Sequence, residues 1–233
     1  MVRKVEEISI IKLILASRLS SKIFLQSQND MMNIENKKNE GVIPRGLYLE
    51  TLNRTKTKGV IVVGMNPGRI NNDSQEYKNL LKDKISYYNY VKAFEKNILY
   101  KHPYFKKTHE VLEILKFTGP ILWTEIVKCQ SEENSKLSYD TIRNCVHKFL
   151  KKEVELVDYP IFALGDKAYN TCLLLFPERK IIGSQHPSGA NSNFYNFLKL
   201  VKEHQLILRT KINNLKSNGT ICLKDALIDI NKL

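Results

Sequence analysis

The sequence predicts a three-layer α/β protein with a central, mainly parallel sheet of four strands. Four short apolar runs each precede a turn or a group of small and polar residues, and helical patterns separate them along the chain. Near-continuous apolar runs are typical of strands that are covered on both faces. Because strands alternate with helices, the simplest arrangement is a parallel sheet between two helical layers.

The elements follow one another in a regular order. The predicted strands are residues 60–63, 121–127, 161–164 and 180–183. The predicted helices between and after them are residues 106–117, 138–152, 166–176 and 193–212. In sheets of this kind, ligands bind at the carboxyl ends of the strands, so we expect the functional residues directly after each apolar run.

Length and composition favour one folded domain. The 233 residues are 42% hydrophobic and 26% charged, which excludes a disordered or fibrous chain. We expect a single domain over residues 1–233, with an N-terminal helical extension at about 1–41 and a C-terminal extension at about 213–233. The first extension shows apolar residues at helical spacing, and the second contains a short strand-like run at 220–223.

The chain is strongly basic, with 37 Lys and Arg against 24 Asp and Glu and a net charge of +13. This excess is spread along the chain, which suits a surface that meets a polyanion such as nucleic acid, although a general solubility charge fits equally well. A secretory signal and a run of about 18 apolar residues are both missing from the sequence. We therefore expect a cytoplasmic protein without membrane contact.

Two of the predicted strands end in segments that are suited to catalysis. The first is a tight turn whose backbone N–H groups are exposed around one side-chain amide, although a purely structural turn is an equal alternative. The second places an imidazole before a proline, followed by a hydroxyl and small residues. The segments are Gly64-Met65-Asn66-Pro67-Gly68 and Ser184-Gln185-His186-Pro187-Ser188-Gly189-Ala190-Asn191.

The other two predicted strands end differently. Glu125 places a carboxylate at or near the same edge of the sheet. Gly165 and Asp166 are typical of a glycine turn that caps the following helix, so we interpret them as structural.

Taken in order, the motifs GMNPG, WTEIVKC, FALGDKA and QHPSGAN resemble those of the uracil-DNA glycosylase superfamily over about residues 42–210. The resemblance implies a monofunctional, monomeric glycosylase that acts in base excision repair on DNA with a damaged base. It implies that Asn66 positions the hydrolytic water and that His186 stabilises the leaving base. The expected base contacts are Gly64, Met65 and Glu125, and the expected phosphate contacts are Pro67, Gly68, Ser188, Gly189 and Asn191.

Glu125 departs from the pattern of the iron–sulfur branch of this superfamily, which has an asparagine there. An ionised carboxylate only accepts hydrogen bonds, so it suits a base that presents N–H or amino donors better than the carbonyls of uracil. Glu125 either selects the base in this way or faces elsewhere.

Cys129 and Cys145 have the spacing of the last two cluster ligands in that branch, but no cysteine precedes them. A cluster needs four ligands, and Cys172 and Cys222 lie far from the required positions in the chain. We therefore predict ordinary thiols, no bound metal and no cofactor.

Residues 77–105 combine eight Tyr and Phe residues with six lysines. Such a mixture can grip bases and phosphates, and we expect one aromatic ring to stack on the flipped base. For most of these rings, packing against the sheet is the favoured interpretation.

Two other functions remain open on the sequence alone. One is a non-catalytic nucleic-acid-binding protein on the same fold, which the Glu125 departure suggests. The other is hydrolysis of free nucleosides, for which the positive charge would be unnecessary.

Overall fold

The structure is a computed structural model that describes residues 48–50, 54, 58–65, 96, 99–128, 138–187 and 198–230. The predicted N-terminal extension lies outside the described residues, as does most of the aromatic segment 77–105.

The described strands form one sheet in the order β1-β3-β2-β4-β5-β6. Strand β2 pairs in parallel with β4, β4 with β5, and β5 with β6. The predicted α/β class with a mainly parallel sheet is therefore confirmed. The strands are β1 (Tyr48–Glu50), β2 (Val60–Gly64), β3 (Ile121–Glu125), β4 (Ile161–Leu164), β5 (Ile181–Ser184) and β6 (Thr220–Cys222).

The predicted number of four strands is wrong, because the described residues contribute six. The two additional strands, β1 and β6, occupy the edges of the sheet and have three residues each. Edge strands need little apolar sequence because one side of each remains uncovered by a neighbouring strand. Strand β6 coincides with the strand-like run predicted at 220–223, although none of its residues is fully buried.

Six α-helices lie in the described part of the chain. They are α1 (Pro103–Ile114), α2 (Tyr139–Cys145), α3 (Lys151–Val154), α4 (Asp166–Leu175), α5 (Lys202–Asn213) and α6 (Leu223–Ile230). A π-helical turn, Val146–Leu150, joins α2 to α3, so the predicted helix 138–152 is continuous but irregular. The predicted helix 193–212 is observed from Lys202 onward.

Helix α1 shows how local sequence sets an element that later positions the site. The His102 imidazole accepts a hydrogen bond from the Tyr104 N–H at 3.2 Å, and Pro103 occupies the first turn. Both features favour a helix start here. The helix buries one face along its length, at Phe105, Thr108, Val111 and Leu112.

Close packing of β5 requires a glycine. A Cβ atom at Gly183 would lie 2.6 Å from the ring of Tyr169 on α4, nearer than a real contact allows. Gly183 therefore lets α4 pack directly on the strand that leads to His186.

The chain divides into two compact units. Among the described residues, the first contains 48–49, 123–128 and 138–158. The second contains 50, 54, 58–65, 96, 99–122, 159–187 and 198–230.

Candidate active site

In the second unit, three strands end side by side. Val63 of β2 pairs with Ala163 of β4, and Leu164 of β4 pairs with Ser184 of β5. The residues that follow these strands therefore emerge at one edge of the sheet, the usual ligand-binding edge of a parallel α/β fold. They include Met65, Gly165 and His186.

His186 is half-buried at this edge. Burial lowers the pKa of its imidazole below the ordinary value of 6.5, because a charged ring is disfavoured away from water. The ring is therefore mainly neutral at neutral pH, with one donor nitrogen and one acceptor nitrogen. A neutral donor of this kind can hydrogen-bond to an oxygen atom that gains negative charge.

Gly165 lies against His186. A Cβ atom at Gly165 would be 3.5 Å from the Cβ of His186, and the backbone φ of +89° falls in the left-handed region. The Gly165 N–H donates to the Ser184 carbonyl at 2.7 Å, which joins the ends of β4 and β5. The prediction that Gly165 caps the following helix is confirmed, and its proximity to His186 is an additional finding.

The start of α1 contacts His186 and Pro187. The Tyr104 ring lies 5.4 Å from the His186 ring, centroid to centroid, with a tilt of 46°. One turn further on, the Lys107 Nζ donates to the Pro187 carbonyl at 3.3 Å. Tyr104 belongs to the predicted aromatic segment, but the sequence does not indicate which aromatic residue of that segment lies near His186.

After β2, the structure describes the predicted turn only as far as Met65. Gly64 is buried at the end of the strand, and Met65 is half-buried. The other predicted site residues of both motifs lie outside the described residues, so their roles stay predictions. They are Asn66, Pro67, Gly68, Ser188, Gly189 and Asn191.

In the first unit, a buried polar cluster lies at the end of β3. The Lys128 Nζ is 2.5 Å from the Glu153 Oε2, and both side chains are almost fully buried. Thr124 completes the cluster, because its hydroxyl donates to the same Glu153 oxygen and accepts from Lys128. A buried ion pair with these additional hydrogen bonds leaves neither charge uncompensated.

Lys128 of this cluster also contacts Glu125, the residue that is predicted to contact the base. The Lys128 Nζ donates to the backbone carbonyl of Glu125 at 2.7 Å. The Oε2 atom of Glu125 is buried. Lys128 therefore fixes the backbone from which the Glu125 side chain extends.

Lys128 and Glu153 were missed as functional candidates in the sequence. The available signal was that Lys128 directly follows the predicted apolar run 121–127. A lysine in such a buried position needs a partner, because lysine is almost never fully buried unless it is paired. The partner could not be read in the same way, because Glu153 comes 25 positions later on another element.

Tyr100 of the aromatic segment is 46% exposed and contacts helix α1. It stacks on His109 with ring centroids 5.7 Å apart. The His109 Nε2 lies 2.8 Å from a carboxylate oxygen of Glu50, which is 1% exposed. This histidine, which has no partner at ligand spacing in the sequence, thus pairs with a distant buried acid.

The described cysteines behave as thiols. Cys145 and Cys172 are buried, and burial raises the pKa of Cys172 to about 12, so it is protonated at neutral pH. Across the described ranges, His, Cys, Asp and Glu residues form no group of three or more that could hold a metal. Cys129 lies outside those ranges, so the absence of a cluster stays a prediction.

No helix in the described part of the chain has the length and apolar character needed to cross a membrane.

A mainly parallel α/β sheet is typical of proteins that bind ligands at the carboxyl ends of the strands, the edge at which His186 lies. Residues 52–209 match the family model of the Uracil DNA glycosylase superfamily, and the chain belongs to this superfamily. A comparison with curated proteins finds no significant match. Membership associates the chain with DNA glycosylase activity in general and with damaged DNA as the partner.

Proposed function

We propose that the protein is a monofunctional DNA glycosylase that flips a deaminated base, such as uracil, out of DNA and hydrolyses its N-glycosidic bond. The observation that carries this proposal is the half-buried His186 held at the carboxyl ends of the strands. Membership in the superfamily supports the same activity.

The chemistry suits the residue types. Cleavage of the bond leaves an oxocarbenium-like sugar and an anionic base, so catalysis needs a positioned water and hydrogen-bond donors for the base. In the proposal, the Asn66 amide orients the water and the His186 imidazole donates to a base carbonyl. Backbone N–H groups of the turn at Gly64 and Met65 supply further donors to the base.

DNA binding must offset the free energy of flipping a nucleotide, which is a few kcal/mol. The net charge of +13 supports this role, because cationic side chains release counterions when they meet phosphates. In the proposal, phosphates are held by the small and polar residues of the two motif loops. These residues are Pro67, Gly68, Ser188, Gly189 and Asn191.

The first prediction tests catalysis. We expect the protein to release base from oligonucleotides that contain uracil, hypoxanthine or xanthine, and we expect Asn66→Ala to lower the rate by about 10²–10³-fold. The measurement is alkali-induced strand scission of labelled single-stranded and double-stranded substrates under single-turnover conditions.

The outcomes separate the alternatives. Scission that does not exceed the Asn66→Ala level contradicts the catalytic proposal. Salt-sensitive DNA binding without scission would then select a non-catalytic binding protein. Release of base from free nucleosides but not from oligonucleotides would select a nucleoside hydrolase.

The second prediction concerns base choice. We expect Glu125→Gln to raise the ratio of uracil to xanthine excision by about 10–100-fold, because a neutral amide can donate to a uracil carbonyl and an ionised carboxylate cannot. The measurement is kcat/KM on matched oligonucleotides that differ only in the damaged base.

Glu155→Gln is the matched control, since Glu155 is an exposed acid of the same unit. Its base ratio should equal that of the parent. An unchanged ratio in Glu125→Gln would show that the Glu125 carboxylate faces away from the base.

A further inference from the structure

The first two turns of α1 present two side chains to His186 and Pro187. Tyr104 and Lys107 are three residues apart, so they lie on the same side of the helix. Tyr104 meets the imidazole of His186, and Lys107 meets the carbonyl of Pro187, the next residue. Helix α1 therefore contacts His186 and Pro187, two consecutive residues that follow β5.

Tyr104 is itself held in place. Its ring packs edge-on against Phe105, with centroids 5.0 Å apart, and Phe105 is buried in the core. Its backbone N–H is bonded to the His102 imidazole. At the other end of the helix, the Arg209 guanidinium donates to the Ile114 carbonyl at 2.5 Å. The ring that faces His186 thus extends from a helix that is fixed at both ends.

Gly165 lies beside His186 on a different element. A Cβ at Gly165 would lie 3.5 Å from the His186 Cβ, so the backbone of Gly165 runs close to the base of the side chain. The Tyr104 ring meets the imidazole itself. This contact at the ring restricts the His186 rotamer.

We propose that Tyr104 and Lys107 are positioning residues for His186. The tyrosine ring sets the plane of the imidazole. The lysine ammonium fixes the Pro187 carbonyl, which directly precedes the predicted phosphate contact Ser188. This inference rests on the proposed glycosylase function, within which His186 must be aimed at the leaving base. Effective hydrogen bonding in a transition state requires such alignment before the reaction begins.

The expected effect is on kcat rather than on DNA binding. A small misplacement of a catalytic group can lower the rate by about 10²-fold. We expect Tyr104→Leu to lower kcat by about 10–100-fold with an unchanged Kd for abasic-site DNA, and Tyr104→Phe to restore kcat to near the parent value. Lys107→Met should likewise lower kcat while DNA affinity and its salt dependence stay at the parent level.

Two matched variants control for composition and charge. Tyr139→Leu removes a tyrosine ring that is 76% exposed, and Lys106→Met removes the exposed charge next to Lys107. Both should keep the parent kcat. A fall in Tyr104→Phe equal to that in Tyr104→Leu would overturn the role of the ring. A weaker salt dependence of binding with unchanged kcat in Lys107→Met would make Lys107 a phosphate contact instead, and would overturn its positioning role.

A second readout does not depend on activity. In protein with ¹⁵N-labelled histidine, the His186 imidazole should show one set of resonances in the parent and in Tyr104→Phe, but exchange-broadened or shifted resonances in Tyr104→Leu. If the parent releases no base while this pattern holds, the proposed function fails and the positioning geometry stands. If the His186 resonances are identical in all three proteins, the positioning role fails whatever the activity.

Discussion

Lys128→Met is expected to destabilise the protein by about 3–5 kcal/mol. The substitution removes the cation from a buried pair and leaves the Glu153 carboxylate, which is 7% exposed, without its compensating charge. Urea unfolding followed by circular dichroism at neutral pH measures the loss.

Two further variants isolate the cause. Lys152→Met removes an exposed lysine from the same helix as Glu153, and its unfolding free energy should stay within about 0.5 kcal/mol of the parent. The double variant Lys128→Met with Glu153→Met should recover much of the lost stability, because no buried charge then remains. A loss below about 1 kcal/mol in Lys128→Met would mean that the pair is not buried in solution.

If Glu125 reads the base, the same cluster connects stability to base choice. Lys128 donates to the backbone carbonyl of Glu125, so the end of β3 is tied to the ion pair. The double variant keeps the core neutral but lacks this hydrogen bond. If Glu125 reads the base, a stable double variant should therefore discriminate less sharply between bases than the parent.

The inner part of the fold could be predicted from sequence because its signals are local. Strands β2 and β4 are buried at every position, which demands an unbroken apolar run that can be recognised without knowledge of the neighbours. The edge strands are only partly buried, so they do not need an unbroken apolar run. Strand β1 alternates buried and half-buried residues over three positions, a pattern too short to distinguish from a loop.

The candidate site likewise contains residues that local sequence indicates and residues that it does not. Local sequence indicated His186 because a histidine before a proline follows the end of an apolar run, and the resemblance to the superfamily implied its role at the leaving base. Local sequence did not indicate Lys107, because its partner Pro187 lies 80 positions away and nothing local marks either residue for the other. Contacts of this kind depend on how a helix packs against a distant strand end, which periodicity along the chain does not determine.

His186→Ala is expected to lower kcat by about 10²–10³-fold while leaving the Kd for abasic-site DNA within a few-fold of the parent. The imidazole is proposed to donate to the base as negative charge develops, so its contribution is larger in the transition state than in the bound substrate. Single-turnover scission on uracil-containing DNA, with DNA binding measured by fluorescence anisotropy, separates the two quantities. His204→Ala is a control, since His204 lies on α5 and has no proposed role. Equal losses of rate and affinity in His186→Ala would assign His186 to ground-state binding instead.

The burial of His186 also predicts how the unfolding free energy of His186→Ala, relative to the parent, depends on pH. Because the pKa of His186 is lowered in the folded protein, the unfolded chain binds the proton more readily between that lowered value and 6.5. The stabilising contribution of the neutral ring is therefore fully present above pH 6.5 and is lost as the pH falls through the folded-state pKa. His186→Ala lacks this contribution at every pH. The difference in unfolding free energy between parent and variant should consequently narrow from about pH 8 to about pH 5. A difference that stays constant over this range would mean that the folded protein does not favour the neutral imidazole.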